Sequence, residues 1–173
     1  MYCGCNPTAL SSQLQISRAL MHLMLEKPYS TVSVSELCRA AGVSRPTFYA
    51  LFSSMENVVL FTLQERACQL PPVTGESPLE HLCRGYSLYI SDNRDYLRLL
   101  ARNDVGYLLY DSIYESLIAC SECLRGPDRQ YAANFIAGGV TGVIREYCAA
   151  EPPPDQETLF RILMSLFSGA FWK

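Results

Sequence analysis

The sequence predicts an all-α protein in which a small N-terminal helix-turn-helix domain precedes a larger helical domain. Nearly half of the 173 residues are apolar, which is enough for a sizeable core. These residues recur at helical spacing, and no stretch alternates apolar and polar residues as a half-buried strand does. The segment PPVTGESP at 71–78 interrupts the helical pattern. We therefore predict an N-terminal domain over 1–70, which includes a linking helix over 54–70, and a C-terminal domain over 71–173.

The first predicted helix covers residues 12–25 and follows a weakly ordered segment over 1–12. Its apolar stripe consists of Ile16, Leu20, Leu23 and Met24. A stripe of this width is typical of a helix with one face on a core. We expect this helix to brace the two short helices that follow it.

The second predicted helix begins at a capping box and ends at a glycine. Ser33 precedes Glu36 by three residues, so the Ser33 hydroxyl can accept a backbone N–H bond and Glu36 can reach back to the Ser33 N–H. Gly42 follows the last helical residue, where a left-handed conformation is common. The sequence therefore predicts a short helix between the cap at Ser33 and Gly42, and a tight turn after it.

A third, short helix is predicted around Pro46, because a proline in the first helical turn removes an N–H that has no intrahelical partner. Its cap is either Ser44 or Arg45, since the residue before a proline resists the helical conformation. A helix this short is unstable alone, so its neighbours must hold it. Its inward residues are predicted to be Phe48, Leu51 and Phe52. Its outward residues are predicted to be Arg45, Thr47, Tyr49 and Ala50.

The outward face of this third helix suits a helix that reads DNA. The major groove admits one helix, where Arg45 can pair with a guanine or clamp a phosphate and Thr47 can contact a thymine methyl group or a base edge. Ser33 and Ser44, with the N–H groups at the two helix starts, suit phosphate oxygens. The residues predicted to contact double-stranded DNA are Ser33, Ser44, Arg45, Pro46, Thr47 and Tyr49.

The same stretch resembles the DNA-binding domain of the tetracycline-repressor (TetR) family of bacterial transcription regulators. The similarity covers about residues 16–63, and beyond them it concerns the fold only. The matching residues are Val32-Ser33-Val34, Ala41-Gly42-Val43-Ser44, Thr47-Phe48-Tyr49 and Phe52. The resemblance implies a homodimeric repressor on a palindromic operator, with a phosphate contact from Tyr49. It also implies a small-molecule effector that shifts the spacing of the two recognition helices and releases DNA.

Two positions and the charge balance leave a second hypothesis open. Ala50 stands where the family commonly has a histidine or a similar polar residue, and Met55 stands where it commonly has a lysine. Residues 1–70 hold five Lys/Arg and four Asp/Glu (+1), whereas residues 71–173 hold nine and thirteen (−4). A net charge of +1 is small for a DNA-binding domain, since contacts with phosphates supply most of the non-specific affinity for DNA. The alternative is an interaction protein whose helix-turn-helix no longer binds DNA and binds a protein partner.

Five further helices are predicted after the linker. The first of them begins at a second capping box, Ser77 with Glu80, and has Pro78 at its first helical position. The others are predicted over about 93–102, 105–125, 128–150 and 155–171. Gly126-Pro127 and Pro152-Pro153-Pro154 separate the last three.

The last two helices carry more apolar residues than one buried stripe requires, and they are predicted to form a homodimer interface. Glycine costs about 1 kcal/mol per helix position relative to alanine, so three glycines close together favour the close approach of another helix. In the resembling family these two helices of each subunit form a four-helix interface. The alternative is packing within one chain. The predicted interface residues are Phe135, Gly138, Gly139, Gly142, Ile144, Leu163 and Phe167.

Tyrosines cluster in helices expected to surround a ligand pocket in the C-terminal domain. Aromatic side chains with polar tips suit a small, partly apolar ligand, and the alternative is a core position with the hydroxyl at the surface. The tyrosines predicted to contact a small-molecule effector are Tyr86, Tyr89, Tyr107, Tyr110 and Tyr114, and Tyr96 belongs to the same cluster.

Composition and motifs argue against other classes of protein. The cysteines are scattered, and the two clusters, Cys3-Gly4-Cys5 and Cys120-Ser121-Glu122-Cys123, give only weak support to a zinc or redox site. No apolar run approaches the roughly 18–20 residues of a membrane span, and the N-terminus lacks a signal-peptide pattern. His22 and His81 have no catalytic constellation around them. We therefore predict a cytoplasmic protein that is not an enzyme and has no cofactor, no metal and no membrane partner.

Overall fold

The computed structural model describes residues 6–69, 75, 77–119, 124 and 126–169, and within them the chain forms nine α-helices and no strand. A 3₁₀ turn, Tyr29–Thr31, lies between the first two helices. The all-α prediction is confirmed. The helices are α1 (Pro7–Glu26), α2 (Val34–Ala41), α3 (Arg45–Leu51), α4 (Met55–Cys68), α5 (Pro78–Asp92), α6 (Arg94–Arg102), α7 (Tyr107–Ala119), α8 (Arg129–Ala149) and α9 (Gln156–Phe167).

Side-chain caps fix where many of these helices begin. α1 starts at Pro7 rather than near residue 12, because Asn6 Oδ1 accepts the N–H of Thr8 at 3.0 Å and the proline occupies the first turn. The predicted cap at Ser77 is confirmed, with its Oγ 3.1 Å from the Glu80 nitrogen. Asp155 likewise caps α9, accepting the N–H of Thr158 at 2.7 Å. The predicted linker at 71–78 lies mostly outside the described residues.

The N-terminal helices enclose one core. α1 packs on α2, α3 and α4, and α2 packs on α3. The fully buried side chains of this core are Ile16, Leu20, Leu37, Phe48, Phe52 and Val58. The hydroxyls of Ser17 and Thr62 share a hydrogen bond of 2.7 Å in the interior, which fixes the register of α1 against α4. The short α2 and α3 are therefore held by a core that they could not build alone.

The C-terminal helices pack in two pairs, α5 on α9 and α7 on α8, with α6 against α5 and α8. The buried side chains include Ile90, Leu97, Leu100, Leu159 and Leu163. Arg98 and Arg94 both bind Glu151, at 2.7 and 3.2 Å, and tie α6 to the loop between α8 and α9. No helix among the described residues is long and apolar enough to cross a membrane.

Two polar junctions join the N-terminal helices to the rest of the chain. Asn103, after α6, accepts the N–H of Tyr29 at 2.8 Å and donates to the Met24 carbonyl at 3.2 Å. Arg66, on α4, donates to Asn93 Oδ1 at 2.8 Å and lies 4.5 Å from the centre of the Tyr96 ring. α4 also packs on both α1 and α7. The position of the helix-turn-helix is thus set by α4 and by the end of α6.

Candidate nucleic-acid interface and regulatory cavity

The turn between α2 and α3 has the predicted local geometry. Ser33 Oγ accepts the N–H of Glu36 at 3.2 Å and caps α2. Gly42 is left-handed, with φ of 67°, and the Val43 N–H returns to the Cys38 carbonyl at 3.0 Å. Glu36 forms an ion pair of 2.5 Å with Lys27. The hydrogen bond from Lys27 holds the pKa of the Glu36 carboxyl below its usual value.

Ser44 is the cap of α3, which resolves the alternative that the sequence left open. Its Oγ accepts the N–H of Thr47 at 3.1 Å, and Arg45 and Pro46 occupy the first turn. Phe48 is fully buried, and its ring lies 6.0 Å from that of Phe52. A seven-residue helix is therefore fixed in orientation by aromatic anchors on its inner side.

The outer side of α3 is open to solvent. Arg45, Pro46, Tyr49 and Ala50 are exposed, and Tyr49 retains 52% of its accessible surface. Tyr49 rests edge-on against Phe48, with ring centres 5.3 Å apart, so its ring is positioned although its hydroxyl end is free to reach outward. Thr47 is half-buried, and its hydroxyl bonds that of Ser44 at 2.8 Å. Five of the six predicted DNA-contacting residues, Ser33, Ser44, Arg45, Pro46 and Tyr49, are thus exposed, and Thr47 lies at the edge of this face.

Arg39 is a residue of this face that the sequence analysis did not select. It is exposed in the last turn of α2, just before the turn into α3. No hydrogen bond or ion pair engages the Arg39 or Arg45 side chain within the described part of the chain. Lys27, by contrast, is neutralised by Glu36. In the sequence, Arg39 could have been recognised as a candidate DNA contact because it is a lone cation on the polar side of α2, about one turn before Gly42.

The start of α4 is less favourable for an anion. Ser54 caps it by accepting the N–H of Asn57 at 3.3 Å, Met55 is its first residue, and Glu56 lies in its first turn. A carboxylate beside free N–H groups competes with a phosphate for them. Met55 stands where the resembling family commonly has a lysine, and the neighbouring Glu56 makes this helix start still less favourable for a phosphate.

The C-terminal part contains a cavity of about 480 Å³ between α4, α5 and α7. Tyr86 and Tyr89 line it, as does His81. Burial raises the pKa of Tyr89 to about 12, and its hydroxyl donates to the Leu63 carbonyl at 3.5 Å. Two of the five predicted ligand tyrosines are therefore brought together at one cavity.

The other three predicted ligand tyrosines lie elsewhere. Tyr107 is 56% exposed at the start of α7. Tyr110 and Tyr114 stack on each other, with ring centres 6.4 Å apart, and the Tyr110 hydroxyl donates to Asn134 Oδ1 on α8. Residues three or four apart share a helix face, so these two face α8 whereas Leu109 and Ile113 face the cavity.

The outer side of α8 and α9 carries an exposed apolar surface. Tyr131 and Phe135 are 79% and 71% exposed, and Ile162 and Leu166 are also exposed. A groove of about 590 Å³ between the two helices is lined by Phe135, Gly139, Gly142, Ile162, Leu166 and Phe167, among other residues.

The seven predicted interface residues divide between this surface and the core. Phe135 and Gly138 are exposed, Phe167 is half-buried in the groove, and a Cβ at Gly138 or Gly142 would meet no atom within 4 Å. Gly139 has an intrachain role, because a Cβ there would lie 3.3 Å from the Phe167 ring. Ile144 and Leu163 are 3% and 0% exposed. Their predicted place in a homodimer interface is wrong, because they point into the core of the same chain.

Comparison with known proteins agrees with this geometry. Residues 16–60 match the family model "Bacterial regulatory proteins, tetR family". The chain is 40% identical over 60 residues to the HTH-type transcriptional regulator EthR of Mycobacterium tuberculosis, and the same match is found with EthR of Mycobacterium bovis. The aligned part is 35% of this chain, which spans only 27% of the length of these relatives.

Solved structures extend the similarity of fold to the whole chain. The crystal structure of Lin0861 from Listeria innocua superposes with a TM-score of 0.81 at 15% identity, and the match covers 100% of this chain and 97% of that one. A TetR transcriptional regulator from Streptococcus agalactiae superposes with a TM-score of 0.55 at 18% identity, over 92% and 94% of the two chains.

These likenesses concern the fold, whereas the sequence match concerns the helix-turn-helix alone. The sequence similarity to the tetR family therefore covers residues 16–60, and the rest of the chain shares only the fold of these solved structures.

Proposed function

We propose that the chain is a DNA-binding transcriptional regulator, a repressor that binds a palindromic operator as a homodimer and releases it when a small ligand binds. The observation that carries the proposal is the outer face of α3. Arg45 and Tyr49 are exposed on a helix whose other side is anchored by Phe48. A helix anchored in this way can enter a major groove with its exposed side while its buried side stays packed in the core of the domain.

The charges on this face support contact with DNA. Arg45 is exposed on α3, from which its guanidinium would pair with a base edge or a phosphate, and the exposed Arg39 would bind the phosphate backbone from α2. Both guanidinium groups can bind phosphate oxygens in a bidentate manner. Tyr49 and the exposed hydroxyl of Ser33 add neutral donors at the edge of the same surface. Phosphate contacts position the domain, and Arg45 is the residue that gives it base selectivity.

The exposed apolar surface of α8 and α9 supports a homodimer. Phe135 is exposed on α8, and the groove beside it is large enough to receive an aromatic side chain. A two-fold axis places the same patch of each subunit against the other. The open space over Gly138 and Gly142 lets a second helix approach closely. One α3 reads only a few base pairs, and two related by symmetry give useful selectivity.

The path from the cavity to DNA runs through α4. Its residues Leu63 and Gln64 line the cavity, and on the same helix Thr62 is hydrogen-bonded to α1. Arg66, one turn further on, links α4 to Asn93 at the end of α5. If the protein has two conformations that differ in the placement of α4, a ligand that binds one of them more tightly increases the population of that conformation. The spacing of the two α3 helices in a dimer changes with it.

The test is binding of fluorescent duplex DNA taken from the region upstream of the chain's own gene, measured by anisotropy at several salt concentrations. The parent is expected to lose affinity steeply as salt rises. Arg39→Ala should weaken binding to all sequences alike and lower the salt slope by about 1, whereas Arg45→Ala should also relax the preference at one base position. Arg161→Ala, an equal loss of charge on α9, is the matched control and should behave as the parent does. Equal affinity for all four proteins would refute the proposal.

A second candidate is an interaction protein whose helix-turn-helix binds a protein partner. The pairing of Lys27 with Glu36 and the presence of Glu56 beside Met55 favour it, because both lower the positive potential of the N-terminal helices. The salt series separates the two candidates. A shallow or absent salt dependence, with no effect of Arg39→Ala, would favour the protein partner.

A further inference from the structure

We propose that the cavity between α4, α5 and α7 takes an apolar molecule that carries one positively charged nitrogen, with Glu115 binding that charge at the cavity mouth. This inference names the ligand class of the effector and rests on the proposed regulator for its biological meaning. The binding itself is a property of the cavity and can be measured without DNA.

The walls of the cavity define the apolar part of the ligand. Leu63 comes from α4, Leu82 from α5, and Leu109, Ile113 and Leu117 come from α7. Ligand pockets in proteins commonly measure about 300–1,000 Å³, so a cavity of about 480 Å³ accommodates a compact molecule of two rings. Burying such a body against aliphatic walls is the main source of affinity.

Two of the hydroxyl groups that line the cavity are satisfied by the protein. The Ser116 hydroxyl donates to the Ile113 carbonyl at 2.8 Å, and the Tyr89 hydroxyl donates to the Leu63 carbonyl. A ligand therefore meets few polar groups that need a partner along its length. The selectivity of the cavity for one kind of ligand must therefore come from the polar side chains at its mouth.

The mouth carries one carboxylate and no basic side chain of Lys or Arg among the described lining residues. Glu115 and His81 are both exposed there, together with Gln64. A carboxylate at the rim attracts a cation and repels an anion, and an unprotonated His81 ring can accept a hydrogen bond from an ammonium group.

The arginines on the surrounding helices are not among the described lining residues, and each is held by another partner. Arg84 on α5 binds Glu80 at 2.9 Å and lies 4.2 Å from the centre of the Phe160 ring. Arg129 donates to the Ile118 carbonyl. Arg66 is held by Asn93. Glu115 is therefore the one carboxylate at the mouth among the described lining residues, and no arginine or lysine there is placed to bind it.

The test uses three probes with one apolar body: 4-phenylbenzylamine, 4-phenylbenzyl alcohol and 4-phenylbenzoic acid. Isothermal titration calorimetry of the full chain, without DNA, gives the dissociation constant of each. The amine is expected to bind about tenfold more tightly than the acid, with the alcohol between them. Glu115→Gln should bring the amine to within about twofold of the alcohol and leave the alcohol unchanged. Glu157→Gln, an exposed glutamate at the start of α9, is the matched control and should keep the parent's order.

A cavity-filling variant ties the binding to this site. Ser112→Phe places a ring into the cavity from α7 and should abolish binding of all three probes, while circular dichroism reports whether the helices persist. The inference is overturned if none of the probes binds the parent, if the acid binds as tightly as the amine, or if Glu115→Gln leaves the ratio of amine to alcohol unchanged. A folded Ser112→Phe that still binds would also overturn it. Failure of the chain to bind DNA would refute the proposed regulator but would leave these binding ratios intact.

Discussion

Replacing Asn103 by alanine should loosen the helix-turn-helix from the C-terminal helices. Asn103 joins parts of the chain that lie more than 70 residues apart, since its Oδ1 accepts the Tyr29 N–H at 2.8 Å and its Nδ2 donates to the carbonyls of Met24 and Leu99 at 3.2 and 3.0 Å. The side chain is only partly exposed. Its removal therefore leaves a backbone donor and a backbone acceptor without their partner.

The size of the effect follows from the two bonds that cross the junction. A hydrogen bond contributes about 1 kcal/mol net, and an unsatisfied buried group costs about 1–3 kcal/mol. Loss of both should lower the free energy of unfolding by about 2–3 kcal/mol. For a chain of this length 1 kcal/mol corresponds to roughly 2–4 °C in Tm, so Asn103→Ala should melt about 4–12 °C below the parent.

Thermal unfolding followed by circular dichroism measures this shift, and Asn103→Asp is the matched variant. The aspartate keeps an acceptor for the Tyr29 N–H but loses the donor to the Met24 carbonyl. It should therefore melt between the parent and Asn103→Ala. An Asn103→Ala protein that melts within about 1 °C of the parent would refute the reasoning, because the junction would then contribute nothing to stability.

Three other perturbations test separate parts of the structure. Phe48→Ala removes the buried anchor of α3 and should lower the free energy of unfolding by about 3–5 kcal/mol in urea titration; a loss below 1 kcal/mol would contradict the anchoring. Phe135→Glu should convert a dimer into a monomer in light scattering after gel filtration, whereas Gln156→Glu adds the same charge at the start of α9 and should not. Hydrogen bonds from Arg98 and Arg94 lower the pKa of Glu151, so its contribution to stability is present above pH 4.5 and is lost as the pH falls through the lowered value. The Tm of Glu151→Gln should thus lie below that of the parent at pH 7 and approach it in acid; an unchanged difference in acid would contradict this assignment.

Local signals in the sequence predicted much of the N-terminal domain. Caps at Ser33 and Ser77 and the turn at Gly42 depend only on residues within four positions, so spacing alone was enough to find them. The inner side of α3 was found in the same way, since Phe48 and Phe52 lie on one helical face. The start of α1 was placed late because Asn6 and Pro7 precede the apolar stripe that marked the helix.

Residues that act between distant parts of the chain could not be found in this way. The contact of Asn103 with Tyr29 bridges elements far apart in sequence, and nothing local announces it. In α8 and α9 both the inner and outer faces are apolar, so periodicity does not say which of Phe135 and Ile144 faces outward. For a similar reason the sequence could not distinguish Tyr110 from the two tyrosines that line the cavity, because only the packing of α7 between two neighbouring helices separates Tyr110 from it.

Selection of bound duplexes from a random DNA library measures the central claim most directly. The account predicts enrichment of a two-fold symmetric site whose half-sites lie about one helical turn, or a multiple of it, apart, and a relaxed preference at one position of each half-site for Arg45→Ala. Enrichment of no sequence over the starting library, or of a site without symmetry, would contradict it.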